Sequence, residues 1–198
     1  LQKDGFRFVS DPADAEVLIV NTCGFIAPAK EESVDAILEM AQHKKNGRCR
    51  VLCVTGCLAQ RYGKELLEEI PEIDVLTGVS QYPQLSEYIR SALKGHRAGS
   101  TARGRDFAGC GRVLTTAPYS AYVRIAEGCD NRCAYCAIPL IRGGFRSRKQ
   151  DSILDEMRGL AAQGAKEQIL ISQDTSRYGA DLEGVSLPGL LLEAEKIS

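Results

Sequence analysis

No surplus of either charge, no membrane-length apolar run, no repeat and no low-complexity tract marks this sequence of 198 residues. Its 25 basic residues stand against 26 acidic ones, a net charge of −1. No global field therefore draws it to nucleic acid or to an anionic membrane, and any such partner has to be met by a local patch. The longest apolar stretches, such as residues 17–20, fall far short of the ~20 residues needed to cross a bilayer. No basic-then-apolar leader opens the chain. The expectation is a cytoplasmic protein without a membrane partner. The first residue is Leu1 rather than Met, and the opening polar residues read as the tail of an element already under way. A missing N-terminus is expected.

What is present suits a packed interior. Hydrophobic residues make up 44% and charged residues 26%, the balance of an ordinary globular chain. The length exceeds the roughly 100–150 residues common for one domain, so one domain plus part of another is expected. Eight cysteines are many for such a chain, and secreted disulfide scaffolds are smaller and richer in loops. Metal or redox chemistry is the favoured explanation.

Residues 15–23 read as a continuous apolar strand covered on both faces. Pro28 suits the start of a following helix, with Val34, Ile37, Leu38 and Ala41 at helical spacing and a stop at Asn46-Gly47. A second strand of the same character spans residues 49–57. A helix over 62–70, a short strand over 74–78 and a helix over 83–93 complete an alternation that implies a parallel sheet. Residues 96–118 mix glycine and arginine without period and read as a linker. The alternation then resumes, with a strand over 121–126, a cysteine-rich loop, a helix over 152–163, a strand over 168–172 and a helix from about Leu187 that is cut off at Ser198. The expected domains are therefore 1–95 and 119–198, the second holding two strand-helix units.

The loop at Cys129, Cys133 and Cys136 has the spacing CxxxCxxC and follows a strand at its carboxyl end, where parallel sheets and barrels place their ligands. Three thiolates on one loop are able to bind three irons of a cubane cluster and leave the fourth open to a small molecule. Asp130 and Asn131 suit the turn around a metal, and Tyr135 offers an aromatic face beside the last thiol. A zinc knuckle, a redox pair made by Cys133 and Cys136, and plain buried thiols are the competing readings. Zinc wants a fourth ligand, and neither His43 nor His96 is near in sequence; a dithiol leaves Cys129 unexplained.

Cys49, Cys53 and Cys57 look like a second regular motif. On one strand, at about 3.3 Å per residue, Cys49 and Cys57 stand roughly 26 Å apart, too far to share a metal. Cys49 and Cys53 are read as packed strand residues. Cys23 and Cys57 each end a strand of the same sheet, and the loops leaving those ends converge on one crevice. They are candidate joint ligands, whose further partner would come from upstream of Leu1 or from Cys110; two buried thiols is the alternative.

The loop resembles the radical S-adenosylmethionine (SAM) superfamily. This resemblance implies that Cys129, Cys133 and Cys136 hold a 4Fe-4S cluster, that SAM chelates its open iron and that Tyr135 lies near the adenine. Cleavage of SAM then yields methionine and a deoxyadenosyl radical that abstracts hydrogen from an unactivated carbon. NTCGFI at 21–26, GCLAQRY at 56–62, IAEGC at 125–129 and IPLIRGGFRSR at 138–148 together resemble the methylthiotransferases within that superfamily. The wording of these segments and of SQDTSRYGADL at 172–182 is nearer the branch that modifies an aspartate of ribosomal protein S-twelve than the branch that modifies tRNA adenosine.

The family resemblance implies a flavodoxin-like parallel-sheet methylthiotransferase domain followed by the first part of a radical SAM partial TIM barrel. It implies a second 4Fe-4S cluster in the first domain, for which Cys23 and Cys57 match two of three ligands and the third is absent from this chain. Of the family barrel's six or so strand-helix units two are found, and its C-terminal TRAM domain is not, so a fragment lacking both ends is expected. The implied reaction adds a methylthio group at the aspartate β-carbon. One SAM methylates sulfur associated with the first-domain cluster and a second supplies the radical. Ribosomal protein S-twelve or the small ribosomal subunit is the implied partner, together with an external electron donor. tRNA is the alternative substrate, and a non-catalytic iron-sulfur or zinc module is the alternative of another class. Residues 124–149 carry Arg124, Arg132, Arg142, Arg146, Arg148 and Lys149 against Glu127 and Asp130, a local basic patch that fits either macromolecule or a solvated rim. Gln173-Asp174-Thr175 ends the second strand of this domain on the same rim, without an assigned role.

Overall fold

The apolar run at residues 51–56 shows no alternation, and it forms an interior strand of a parallel sheet. The computed structural model describes residues 1–104, 114 and 117–197, so Cys110 and much of the expected linker lie outside the described residues. The chain divides into two compact units, Leu1–Asp106 and Phe107–Ser198.

In the first unit β1 (Val17–Thr22), β2 (Val51–Gly56), β3 (Ile73–Thr77) and β4 (Ala98–Ser100) lie in the order β1-β2-β3-β4, all parallel. Every residue of β2 is buried. Leu52 and Val54 join a core with Ile37 and Ala41 of α1 (Ala27–Asn46) and Leu58, Ala59 and Leu66 of α2 (Cys57–Glu69). Val51 and Cys53, on the alternate face, pack with Leu85, Ile89 and Ala92 of α3 (Leu85–Leu93). Complete burial of a side chain such as Ile37 or Ile89 contributes about 1.5–3 kcal/mol. Asp74, in the irregularity between β2 and β3, accepts the Leu52 N–H at 2.8 Å and pairs with Lys44 at 2.6 Å.

Three details depart from the sequence reading. The first strand is not covered on both faces: Ile19 is 38% exposed and Asn21 is exposed, because β1 stands at the end of the described strand order. Residues 49–57 are not one strand, since Cys49 precedes β2 and Cys57 is the first residue of α2, five residues before the expected helix start. Gly56 makes that abrupt change at φ 101°, where a Cβ would lie 2.4 Å from the Thr22 carbonyl oxygen. The stretch read as a linker contributes β4 to the sheet.

In the second unit β5 (Ser120–Arg124) pairs in parallel with β8 (Glu167–Ile171). Ala121 and Val123 of β5 are covered by Ile153, Leu154, Met157 and Leu160 of α5 (Gln150–Ala162) and by Leu190 of α6 (Leu187–Ala194). The strand expected over 121–126 breaks at Ile125, whose N–H donates to Ile171 while its carbonyl accepts from Arg148. Beyond the break, β6 (Ala126–Glu127) turns to pair antiparallel with β7 (Arg146–Ser147), and α4 (Ile138–Arg142) lies between them. The last helix ends at Ala194, before Ser198.

Candidate cofactor site

The cysteine loop leaves β6 through Gly128, at φ 80°, where a Cβ would lie 2.2 Å from the Gly144 carbonyl oxygen and 2.6 Å from that of Gly143. Only a residue without a side chain lets the two ends of the loop approach so closely. The Gly128 N–H donates to Gln173 Oε1 at 2.8 Å, and the Cys129 N–H donates to the Gly143 carbonyl at 3.1 Å. Asp130 Oδ1 accepts the Phe145 N–H at 3.1 Å, and Asp130 pairs with Arg177, whose guanidinium lies 5.2 Å from the Phe145 ring centre. Asn131 donates to Asp174 Oδ2 at 3.1 Å. Hydrogen bonds from Ser176 first and Asn131 second hold the Asp174 carboxyl below its ordinary range. Arg132 then takes φ 49°, a left-handed turn unusual without glycine. The Cys136 N–H closes back on the Cys133 carbonyl at 2.9 Å.

The loop thus carries Cys129, Cys133 and Cys136 on one curl of backbone, all free thiols, with Cys133 exposed and the other two half-buried. Among the described residues no three His, Cys, Asp or Glu side chains are gathered closely enough to hold a metal ion. Tyr135 is 88% exposed at the loop surface. As a donor set, three uncrosslinked thiols without a nearby carboxylate cage suit a soft iron-sulfur cluster better than a hard cation.

Three of the six basic residues of the patch are engaged in internal pairs. Arg124 and Arg142 bind Glu127 at 2.6 and 2.7 Å, and the buried Arg148 pairs with Glu156 and bonds Ser152. Sequence reasoning missed these roles, and those of Gln173 and Asp174, because their partners are 15 to 45 residues away or packed from another element.

In the first unit Thr22 pairs with Gly56 across β1 and β2, so Cys23 and Cys57 leave adjacent strands at the same level. Thr22 Oγ1 donates to the Thr55 carbonyl at 2.6 Å, and a Cβ on Gly24 would lie 2.8 Å from the Cys57 carbonyl oxygen. Cys23 is exposed and Cys57 half-buried. Cys49 and Cys53 stand apart from them, both buried. Burial pushes the Cys49 thiol up and that of Cys53 up to about 12.

Strand-helix units with a three-cysteine loop at a strand's carboxyl end make up the second unit, and residues 123–186 match the model of the Radical SAM superfamily. Residues 1–78 match Uncharacterized protein family UPF0004. Curated relatives named "Ribosomal protein uS12 methylthiotransferase RimO" are similar over nearly all of this chain. That of Pelotomaculum thermopropionicum is 50% identical over 196 residues, 98% of this chain and 44% of the relative. Those of Clostridium botulinum strain Loch Maree and Desulforamulus reducens are 53% and 52% identical, covering 96% and 98% of this chain and 44% of each relative. The chain is thus similar, through both of its units, to relatives named as methylthiotransferases, with its second unit matching the radical SAM superfamily. It spans less than half the length of these relatives.

Proposed function

We propose that this chain is the N-terminal and cluster-binding portion of a cytoplasmic enzyme that adds a methylthio group to the β-carbon of an aspartate in ribosomal protein uS12. The observation that carries the reading is the roughly 50% identity, sustained through both units, to relatives bearing that name. The first unit, which includes β4, forms the methylthiotransferase domain, and residues 119–198 begin the radical SAM barrel.

In this reading Cys129, Cys133 and Cys136 bind the 4Fe-4S cluster, and Tyr135 lies against SAM. Cys23 and Cys57 supply two ligands to a second cluster, and a third ligand completes it. When bound, the clusters and SAM supply the radical and sulfur chemistry. The chain's own residues position them. Gly128 permits the tight loop, Gln173 and Asp174 brace it from the end of β8, and the Thr22–Thr55 hydrogen bond keeps the Cys23 and Cys57 loops level. No side chain of the site is assigned proton transfer.

No helix among the described residues is long and apolar enough to cross a membrane. The test uses the full-length protein containing this chain, reconstituted anaerobically with iron and sulfide. Iron binding and reductant-dependent cleavage of SAM, lost together in Cys129→Ala, Cys133→Ala and Cys136→Ala, are expected. Zinc occupancy without SAM cleavage refutes the reading in favour of a structural module.

A further inference from the structure

Glu127 is only 4% exposed, and its two carboxylate oxygens bind two guanidinium groups from opposite sides of the cysteine loop. Oε2 meets Arg124, the last residue of β5, at 2.6 Å, and Oε1 meets Arg142, the last residue of α4, at 2.7 Å. The first cysteine follows Glu127 by two residues, and the last precedes Arg142 by six. The ion pair therefore clasps the two ends of the segment that carries all three thiols. Two further contacts close the same gap, the antiparallel pairing of Glu127 with Arg146 and the hydrogen bond from the Cys129 N–H to the Gly143 carbonyl.

A buried carboxylate is stable only when paired, and charge-assisted bonds to guanidinium are short and directional. Loss of the Glu127 charge weakens both bonds that cross the loop root. The β6–β7 ladder is only two residues long on each strand, and α4 is too short to fix its own direction. The other buried arginine pair of this unit, Arg148 with Glu156, ties β7's exit to α5 and joins no two points of the cysteine loop.

We infer that Glu127 is a positioning residue for Cys129, Cys133 and Cys136: through Arg142 it holds the α4 end of the loop against β6, closing the root of the segment from which the three thiols reach a cluster. This rests on the cluster reading above. The role is one of support behind the ligands, where loss of a partner typically weakens metal retention by about 10-fold or more.

The test uses full-length protein with its clusters reconstituted anaerobically. It follows the electron paramagnetic resonance signal that changes on addition of SAM, which reports the cluster with an open iron, and the rate at which an iron chelator removes that signal. Glu127→Gln, which keeps the shape and removes the charge, is expected to lose the SAM-sensitive signal about 10-fold faster than the parent. Arg142→Lys, which keeps the charge and removes the planar fork, is expected to speed the loss in the same direction and covers a Glu127→Gln that fails to fold. Glu156→Gln removes the charge that faces Arg148 and is expected to keep the parent rate. Parental rates in both Glu127→Gln and Arg142→Lys, or equal acceleration in Glu156→Gln, overturn the inference. A SAM-sensitive signal that survives Cys129→Ala instead overturns the cluster reading itself.

Discussion

Substituting Gly128 with alanine tests whether the root of the cysteine loop is as tight as the backbone geometry requires. At φ 80° an alanine adopts a left-handed conformation that costs about 1–2 kcal/mol. Its Cβ would also stand 2.2 Å from the Gly144 carbonyl oxygen, so two backbone segments must part by about 1 Å to reach ordinary contact. That displacement breaks the Gly128–Gln173 and Cys129–Gly143 hydrogen bonds, each worth about 1 kcal/mol net. The total is about 3–4 kcal/mol. Gly164 supplies the control, since it has φ 98° and nothing within 4 Å of its Cβ position, leaving only the conformational cost of about 1–2 kcal/mol. Hydrogen exchange of peptides covering 126–148 and 150–166 in the full-length protein reads both openings. Gly128→Ala is expected to speed exchange over 126–148 at least about tenfold more than Gly164→Ala speeds it over 150–166. Equal effects refute the close approach.

Alkylation maps the thiols: in cluster-free native protein Cys133 and Cys23, both exposed, react first, and Cys53 reacts only on unfolding. At pH 8 a thiol raised to about 12 is ionised in about one molecule in ten thousand, so labelling of Cys53 at the rate of Cys133 contradicts its placement. Burial likewise raises the Tyr178 hydroxyl to about 12 from an ordinary value of 10, and that hydroxyl donates to the Arg148 carbonyl at 3.1 Å. The folded state therefore favours the neutral phenol. Its stabilising contribution is whole below pH 10 and is lost as pH rises towards 12. Tyr178→Phe is expected to cost about 1 kcal/mol at neutral pH and to flatten the decline of stability between pH 10 and 12, measured by urea unfolding; an unchanged alkaline slope contradicts the assignment.

Long apolar runs were legible in the sequence, and short or long-range features were not. The run at 51–56 reads correctly as a buried strand because a fully covered strand needs no polar alternation. The run at 17–22 looks the same, yet Ile19 is partly exposed, since a place in the strand order is a property of the sheet and not of the segment. The loop spacing of Cys129, Cys133 and Cys136 was visible directly. That Cys23 and Cys57 leave adjacent strands at one level was legible from their positions beside the strand ends, and the Thr22–Gly56 register shows it. Strand β6, helix α4 and strand β7 are too short to show a period. Arg124, Arg142 and Arg148, half of what looked like a docking patch, are paired with Glu127 and Glu156, because charge counted along a loop takes no account of what faces it.

The central claim is that the full-length protein methylthiolates uS12, and mass spectrometry of small-subunit ribosomal proteins from cells with and without its gene tests this most directly. Deletion is predicted to remove the mass of one methylthio group from an aspartate of uS12, restored by the parent gene and not by one encoding Cys129→Ala. An unchanged uS12 alongside a lost methylthio group on tRNA adenosine contradicts the account.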